Sequence, residues 1–88
     1  IDPTVFTDDD GTTWIAWGNR QCYIARLGAD MVSIDGPIRE ITPPHFEEGP
    51  WLHKRGALYY LTYASLDRAT HTDERVSYAT ATSLDGPW

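Results

Sequence analysis

The segment GTTWIAWG at Gly11–Gly18 returns, with one residue inserted, as GALYYLTYA at Gly56–Ala64, and past the insertion the copies lie 46 residues apart. A second pair, SIDGPI at Ser33–Ile38 and SLDGPW at Ser83–Trp88, follows in the same order with a spacing of 50 residues. Repeats of about 40–50 residues that hold four short strands each are typical of β-propeller blades. The repeat therefore predicts two consecutive blades.

The strands predicted between the turns are short and rich in aromatic and β-branched residues. They are Thr12–Trp17, Cys22–Leu27, Leu58–Ala64 and Val76–Thr82. The polar segment Ser65–Arg75 shows no strand pattern and is predicted to be a loop. No stretch of a dozen residues holds the apolar period of a helix. The sequence therefore predicts an all-β fold.

The repeat also predicts how the chain is divided. Residues 1–44 form one blade in this interpretation, and residues 45–88 form the next, which is truncated in its last strand. Propellers close with about four to eight blades, and two blades alone leave edges and faces uncovered. The sequence has neither an initiating Met nor a signal-peptide pattern. We therefore expect the chain to be a fragment of a longer domain whose start is missing.

The composition argues against several classes of protein. Thirteen Asp and Glu against seven Lys and Arg give a net charge of −6, which disfavours a nucleic-acid partner. No apolar run approaches the ~20 residues that cross a bilayer, so we expect no membrane partner. The single Cys22 excludes an intramolecular disulfide framework. His45, His53 and His71 lack metal-ligand spacing, so we expect neither a metal site nor a cofactor.

Two carboxylates occupy matching places in the repeat. An offset of 46 residues places Asp2 over Glu48, and each precedes the hairpin of its blade. Because the first strand of a blade lines the propeller channel, both carboxylates are expected at one mouth of that channel. Glycoside hydrolysis requires such a pair. The alternative is that both belong to ordinary strand-entry turns beside proline, with solvated carboxylates.

Trp51 lies three residues after Glu48 and is a candidate wall of a sugar-binding subsite, since sugar rings stack on aromatic faces. The alternative is an aromatic residue packed between blades. Glu47 is expected to point away from the side occupied by Glu48, because neighbouring side chains alternate along a strand.

Several segments together resemble glycoside hydrolase family 43. IDPTVF at Ile1–Phe6 and WIAWG at Trp14–Gly18 resemble its second-blade motif, and EGPWL at Glu48–Leu52 with YYLTYA at Tyr59–Ala64 resembles its third-blade motif. SYATATS at Ser77–Ser83 is similar to the strand that follows. The resemblance implies a five-bladed β-propeller, of which this chain supplies the second and third blades. It also implies cleavage of α-L-arabinofuranosyl or β-D-xylosyl linkages in plant hemicellulose and pectin, with inversion.

The resemblance also assigns roles by position. Glu48 matches the family's general acid, and Asp2 matches the carboxylate that modulates the pKa of the acid and orients it. The family's general base is an Asp of an Asp-Pro motif on the first blade, which lies upstream of this chain. We therefore expect the isolated chain to be inactive. The expected partners are the remaining blades of the parent chain and an arabinose- or xylose-containing oligosaccharide or polysaccharide, met either outside the cell or in the cytoplasm of a bacterium.

Two other functions remain open at this point. Five-bladed glycosidases that cleave fructans and sucrose share the architecture, but their acid motif differs from the Glu-Gly-Pro at Glu48–Pro50. A non-catalytic propeller that binds glycan or protein would make Asp2 and Glu48 incidental.

Overall fold

The computed structural model describes residues 2–67, 69–70 and 72–88, and His71 lies outside the described residues. Within these ranges the chain forms two antiparallel sheets. The first sheet contains, in spatial order, β1 (Thr4–Thr7), β2 (Thr13–Trp17), β3 (Tyr23–Leu27) and β4 (Arg39–Glu40). The second contains β5 (Phe46–Arg55), β6 (Leu58–Asp67) and β7 (Thr72–Ala81). The prediction of an all-β chain is confirmed.

The predicted loop Ser65–Arg75 is wrong over much of its length. Strand β6 continues to Asp67 and β7 begins at Thr72, with Ser65 paired to Arg75 across the ladder. Backbone hydrogen bonds, which do not depend on side-chain polarity, hold this end of the hairpin together. The hydroxyls of Ser65 and Ser77 add a side-chain hydrogen bond of 2.7 Å. A polar strand end of this kind has no apolar alternation to identify it.

The core lies between the two sheets, because each sheet turns one apolar face toward the other. Its buried members include Ala16 and Ile24 of the first sheet, and Phe46, Leu52 and Leu61 of the second. Full burial of a side chain such as Phe or Leu contributes about 1.5–3 kcal/mol. Cys22 is completely buried in the same core, and burial raises the pKa of its thiol to about 12. This packing fixes the position of β5 relative to the first sheet.

Antiparallel pairing brings the termini of four strands to one end of the molecule. The start of β1 pairs with the end of β2, through Thr4 and Ala16. The start of β5 pairs with the end of β6, through Phe46 and Ser65. Strands β1 and β5 also contact each other. The segments that carry Asp2 and Glu48 therefore lie at the same end.

The described residues contain no helix with the length and apolar character of a membrane span.

Candidate active site

Glu48 lies in β5 between two irregularities of the ladder. Phe46 pairs with Ser65, Glu48 with Ala64 and Trp51 with Thr62, so β5 carries one extra residue before Glu48 and another after it. Gly49 accommodates the second irregularity with a φ of 68°. A residue with a side chain would be strained in this conformation, whereas glycine adopts it readily. Such bulges bend a strand and redirect its side chains, and they occur often beside active sites.

The half-buried Glu48 is held against the first sheet by the turn that follows β2. Asn19 and Glu48 form an isolated antiparallel bridge between the two sheets. The backbone N–H of Arg20 donates to the carbonyl oxygen of Glu47 over 2.7 Å. The amide Nδ2 of Asn19 lies 3.5 Å from Oε1 of Glu48, a long hydrogen bond. The side chain of Asn19 thus lies within hydrogen-bond distance of the candidate acid, a contact that the sequence did not predict.

Asp2 is exposed and immediately precedes β1, with a φ of 54°. The registers of the two ladders relate it to Glu48. Ile15 and Leu61 are 46 residues apart, as predicted, and the β1–β2 register, extended by two residues beyond the Thr4–Ala16 pair, places Asp2 opposite Gly18. Ala64, which lies 46 residues after Gly18, pairs with Glu48. Asp2 and Glu48 therefore occupy matching positions, because the bulge after Glu48 offsets the one residue by which the β5–β6 hairpin is shorter.

Trp51 lies on the face of the second sheet that points away from the core. Its side chain is 58% exposed, and its ring centroid is 4.3 Å from that of His53. His53 in turn stacks on Tyr60 at 5.3 Å, with its Nδ1 buried and without a hydrogen-bond partner. Both predicted roles of Trp51, stacking on a sugar and packing against a neighbouring blade, require an exposed ring.

A cavity of 330 Å³ opens at the same end of the sheets as Glu48. Arg20, His45, Phe46 and Asp67 are among the residues that line it. It therefore borders both the turn that carries Asn19 and the start of β5. Its lining mixes a cation, a carboxylate and an aromatic ring.

A cluster of charged residues joins the two sheets at the opposite end. The Asp8–Gly11 turn closes the β1–β2 hairpin, and its carboxylates reach the second sheet. Lys54 Nζ lies 2.9 Å from Asp9 Oδ2 and 3.6 Å from Asp8 Oδ1. Tyr59 donates a 2.5 Å hydrogen bond to Asp8, which raises the pKa of Tyr59. The hydrogen bond to Asp9 likewise raises the pKa of Lys54. We interpret this cluster as structural.

Comparison with known proteins assigns the chain to a family of glycosyl hydrolases. The family model of glycosyl hydrolases family 43 matches residues 1–88. A β-D-galactofuranosidase of Aspergillus niger is 40% identical over 89 residues, which cover all of this chain and 26% of that protein. An arabinoxylan arabinofuranohydrolase of Bacillus subtilis is 31% identical, and the match covers 21% of it. The chain thus spans about a quarter of the length of the curated relatives it matches.

Solved structures agree with this result. An α-L-arabinofuranosidase from Clostridium thermocellum superimposes with a TM-score of 0.79 at 31% identity, over 98% of this chain and 28% of its own. A β-xylosidase/α-arabinofuranosidase from a compost metagenome, solved with xylotriose, gives 0.84 at 26% identity, over 99% and 38% of the two chains. The fold is therefore part of a five-bladed β-propeller, as predicted.

Proposed function

The chain belongs to glycosyl hydrolases family 43, and from this membership we propose that it is part of a longer inverting glycosidase in which Glu48 is the general acid. The observation that carries the proposal is the position of Glu48. It begins the Glu-Gly-Pro segment of β5, between two bulges and against the turn of the neighbouring sheet. Backbone pairing with both sheets holds the residue that carries this carboxyl group in one place, which suits it to proton transfer in a defined geometry.

The proposed chemistry divides between this chain and the remaining blades. Protonated Glu48 donates its proton to the glycosidic oxygen as the bond to the anomeric carbon breaks. A general base on another blade activates the attacking water from the opposite face of the sugar, with the two carboxyl groups about 6.5–9.5 Å apart. Asp2, at the same end of the sheets, is the proposed modulator of the acid and orients the acid and the sugar.

We propose α-L-arabinofuranosyl or β-D-xylosyl linkages of plant polysaccharides as the substrates. Support comes from the related arabinofuranosidases and from the neighbour that is both a xylosidase and an arabinofuranosidase. The 40% identity to a β-D-galactofuranosidase favours a second candidate substrate, a galactofuranosyl linkage. Arabinofuranosides and galactofuranosides share a five-membered ring, so one site can accommodate both.

Substitution of Glu48 in a full-length protein that contains this chain tests the assignment. We expect Glu48→Gln to lower kcat about 10²–10⁴-fold, the usual contribution of general acid catalysis, while affinity for an oligosaccharide is kept. Glu47→Gln is the matched control, because it makes the same chemical change one residue earlier and keeps the backbone hydrogen bond between Arg20 and Glu47. Rates on nitrophenyl arabinofuranoside, xyloside and galactofuranoside identify the sugar. A Glu48→Gln protein with normal turnover refutes the proposed acid, and binding without any turnover in the unsubstituted protein indicates a glycan-binding module.

A further inference from the structure

We propose that Asn19 is a positioning residue that determines which oxygen of Glu48 carries the catalytic proton. The inference rests on the proposed role of Glu48 and extends it to a residue 29 positions away in sequence. Its starting point is the 3.5 Å approach of Asn19 Nδ2 to Glu48 Oε1 across the boundary between the two sheets.

The position of Asn19 is determined by the backbone of its own turn. Gly18 precedes it with a φ of 143°, and a Cβ at Gly18 would lie 1.8 Å from the carbonyl oxygen of Gln21. Only glycine fits so close an approach. Arg20 follows in a left-handed conformation, with a φ of 67°. The turn is therefore tight on both sides of Asn19, which fixes where its side chain leaves the backbone.

The same turn is fastened to the strand that carries Glu48. The Arg20 N–H to Glu47 carbonyl bond and the bridge between Asn19 and Glu48 align the two backbones. Asn19 and Glu48 therefore stay neighbours independently of their side-chain contact. The amide then has one carboxylate oxygen, Oε1, within reach.

The donor chemistry of the pair follows from this geometry. An Asn amide nitrogen can only donate, so the oxygen facing it has to accept. In the protonated acid Oε1 is then the carbonyl oxygen, and the proton resides on Oε2. That proton passes to the glycosidic oxygen as the sugar–oxygen bond breaks, which leaves Glu48 as a carboxylate that still accepts from Asn19. Hydrogen bonds of this kind are often long in a free enzyme and shorten when substrate binds.

Leaving-group dependence provides the test, in the full-length protein. A dinitrophenolate leaves without being protonated, whereas an alcohol or a sugar requires the proton. We expect Asn19→Ala to lower kcat about 10–100-fold on an oligosaccharide or methyl glycoside, the usual effect of losing a group that orients a ligand or catalytic residue. On the dinitrophenyl glycoside of the same sugar we expect kcat to remain nearly unchanged.

Two further variants separate positioning from folding. Asn19→Asp keeps the size of the side chain but replaces the donor with an acceptor, so it should lose the oligosaccharide rate as Asn19→Ala does. Gln21→Ala is the matched control from the same turn, since the exposed Gln21 side chain accepts a hydrogen bond from the hydroxyl of Tyr23. It should keep both rates.

The outcomes distinguish this inference from the proposed function. Equal losses on both substrates, or no loss on either, overturn the role of Asn19. Glu48→Gln is measured in parallel: if it too leaves the oligosaccharide rate intact, the proposed acid itself is refuted. Loss of activity in Glu48→Gln together with normal rates in Asn19→Ala and Asn19→Asp refutes the positioning role alone.

Discussion

Gly18 shows how one residue without a side chain places a polar side chain at the candidate site. A Cβ there would lie 1.8 Å from the backbone carbonyl oxygen of Gln21, so a substitution would force the backbone to shift. Its φ of 143° adds conformational strain for any other residue. The turn that presents Asn19 to Glu48 thus depends on glycine at position 18.

We therefore predict that Gly18→Ala destabilises the folded protein by more than the ~1 kcal/mol expected from glycine's conformational preference alone. Urea unfolding of the full-length protein measures the difference. Gly11→Ala is the control, because Gly11 also has a positive φ, 87°, but an added Cβ there meets no atom within 4 Å. Equal losses for the two variants would contradict the importance of the close contact at Gly18.

At the residue scale, the sequence predicted a candidate acid, Glu48, but not the side chain that lies beside it. Glu48 could be identified because Glu-Gly-Pro is a local motif in a repeat. Asn19 could not, because its contact depends on two loops that only the packing of the sheets brings together. Asp2 was predicted to match Glu48 in the repeat, and the registers of the two hairpins place them at matching positions. The proposed catalytic role of Asp2 remains a prediction.

At the scale of elements, two hairpins meet through ionisable groups. The turn after β1 presents Asp8 and Asp9, and the β5–β6 hairpin presents Lys54 and Tyr59. The pKa of Tyr59 is raised because its hydroxyl donates to Asp8, and that of Lys54 is raised because it donates to Asp9. Both shifts favour the protonated group in the folded state.

This contact predicts a loss of stability at alkaline pH. Below about pH 10, the ordinary pKa of tyrosine, the contribution of both groups is complete. As the pH rises further, the unfolded chain releases these protons first, so the free energy of unfolding falls until the folded groups also titrate. Asp8→Asn removes the charge that Tyr59 faces and should make this decline shallower.

Denaturant unfolding of the full-length protein between about pH 9 and pH 11 measures the slope. Asp35→Asn is a suitable control, since Asp35 forms an exposed ion pair with Arg26 at 3.6 Å. If both variants follow the unsubstituted protein over this range, the contact between the hairpins has no influence on alkaline stability.

The strands themselves were predictable where apolar side chains alternate or run together. The centres of β2, β3 and β6 lie where runs of aromatic and aliphatic residues predicted strands. The polar end of the β6–β7 hairpin was not predicted, because it is held together by backbone hydrogen bonds, which do not depend on residue type. The bulges beside Glu48 were not predicted either, because a bulge is recognised only by comparing a strand with the strand it pairs with.

At the scale of the molecule, one sheet face lacks a covering layer among the described residues. Trp51, Val76 and Tyr78 are exposed on the second sheet, opposite the core. Apolar groups of this size are normally buried against another element. In a five-bladed propeller that element is the following blade. The correspondence of residues 1–44 and 45–88 to the second and third blades remains a prediction.

We predict that the isolated 88-residue chain hydrolyses neither nitrophenyl arabinofuranoside nor nitrophenyl xyloside. It carries the proposed acid, but the resemblance described above implies a general base on an earlier blade, so the chain has no residue assigned to activate water. Release of nitrophenol by the isolated chain, compared with a Glu48→Gln version of it, measures this. Turnover that disappears on the substitution would show that two blades suffice.

The bond from Arg20 N–H to the Glu47 carbonyl joins the sheets with main-chain atoms alone. Every residue except proline supplies that N–H, and all residues supply the carbonyl. This bond therefore tolerates substitution at either position, except proline at position 20. It holds the backbone next to the proposed acid, Glu48, whatever side chains flank it. A chimera that takes the turn containing Arg20 from a related enzyme should therefore keep this bond to β5.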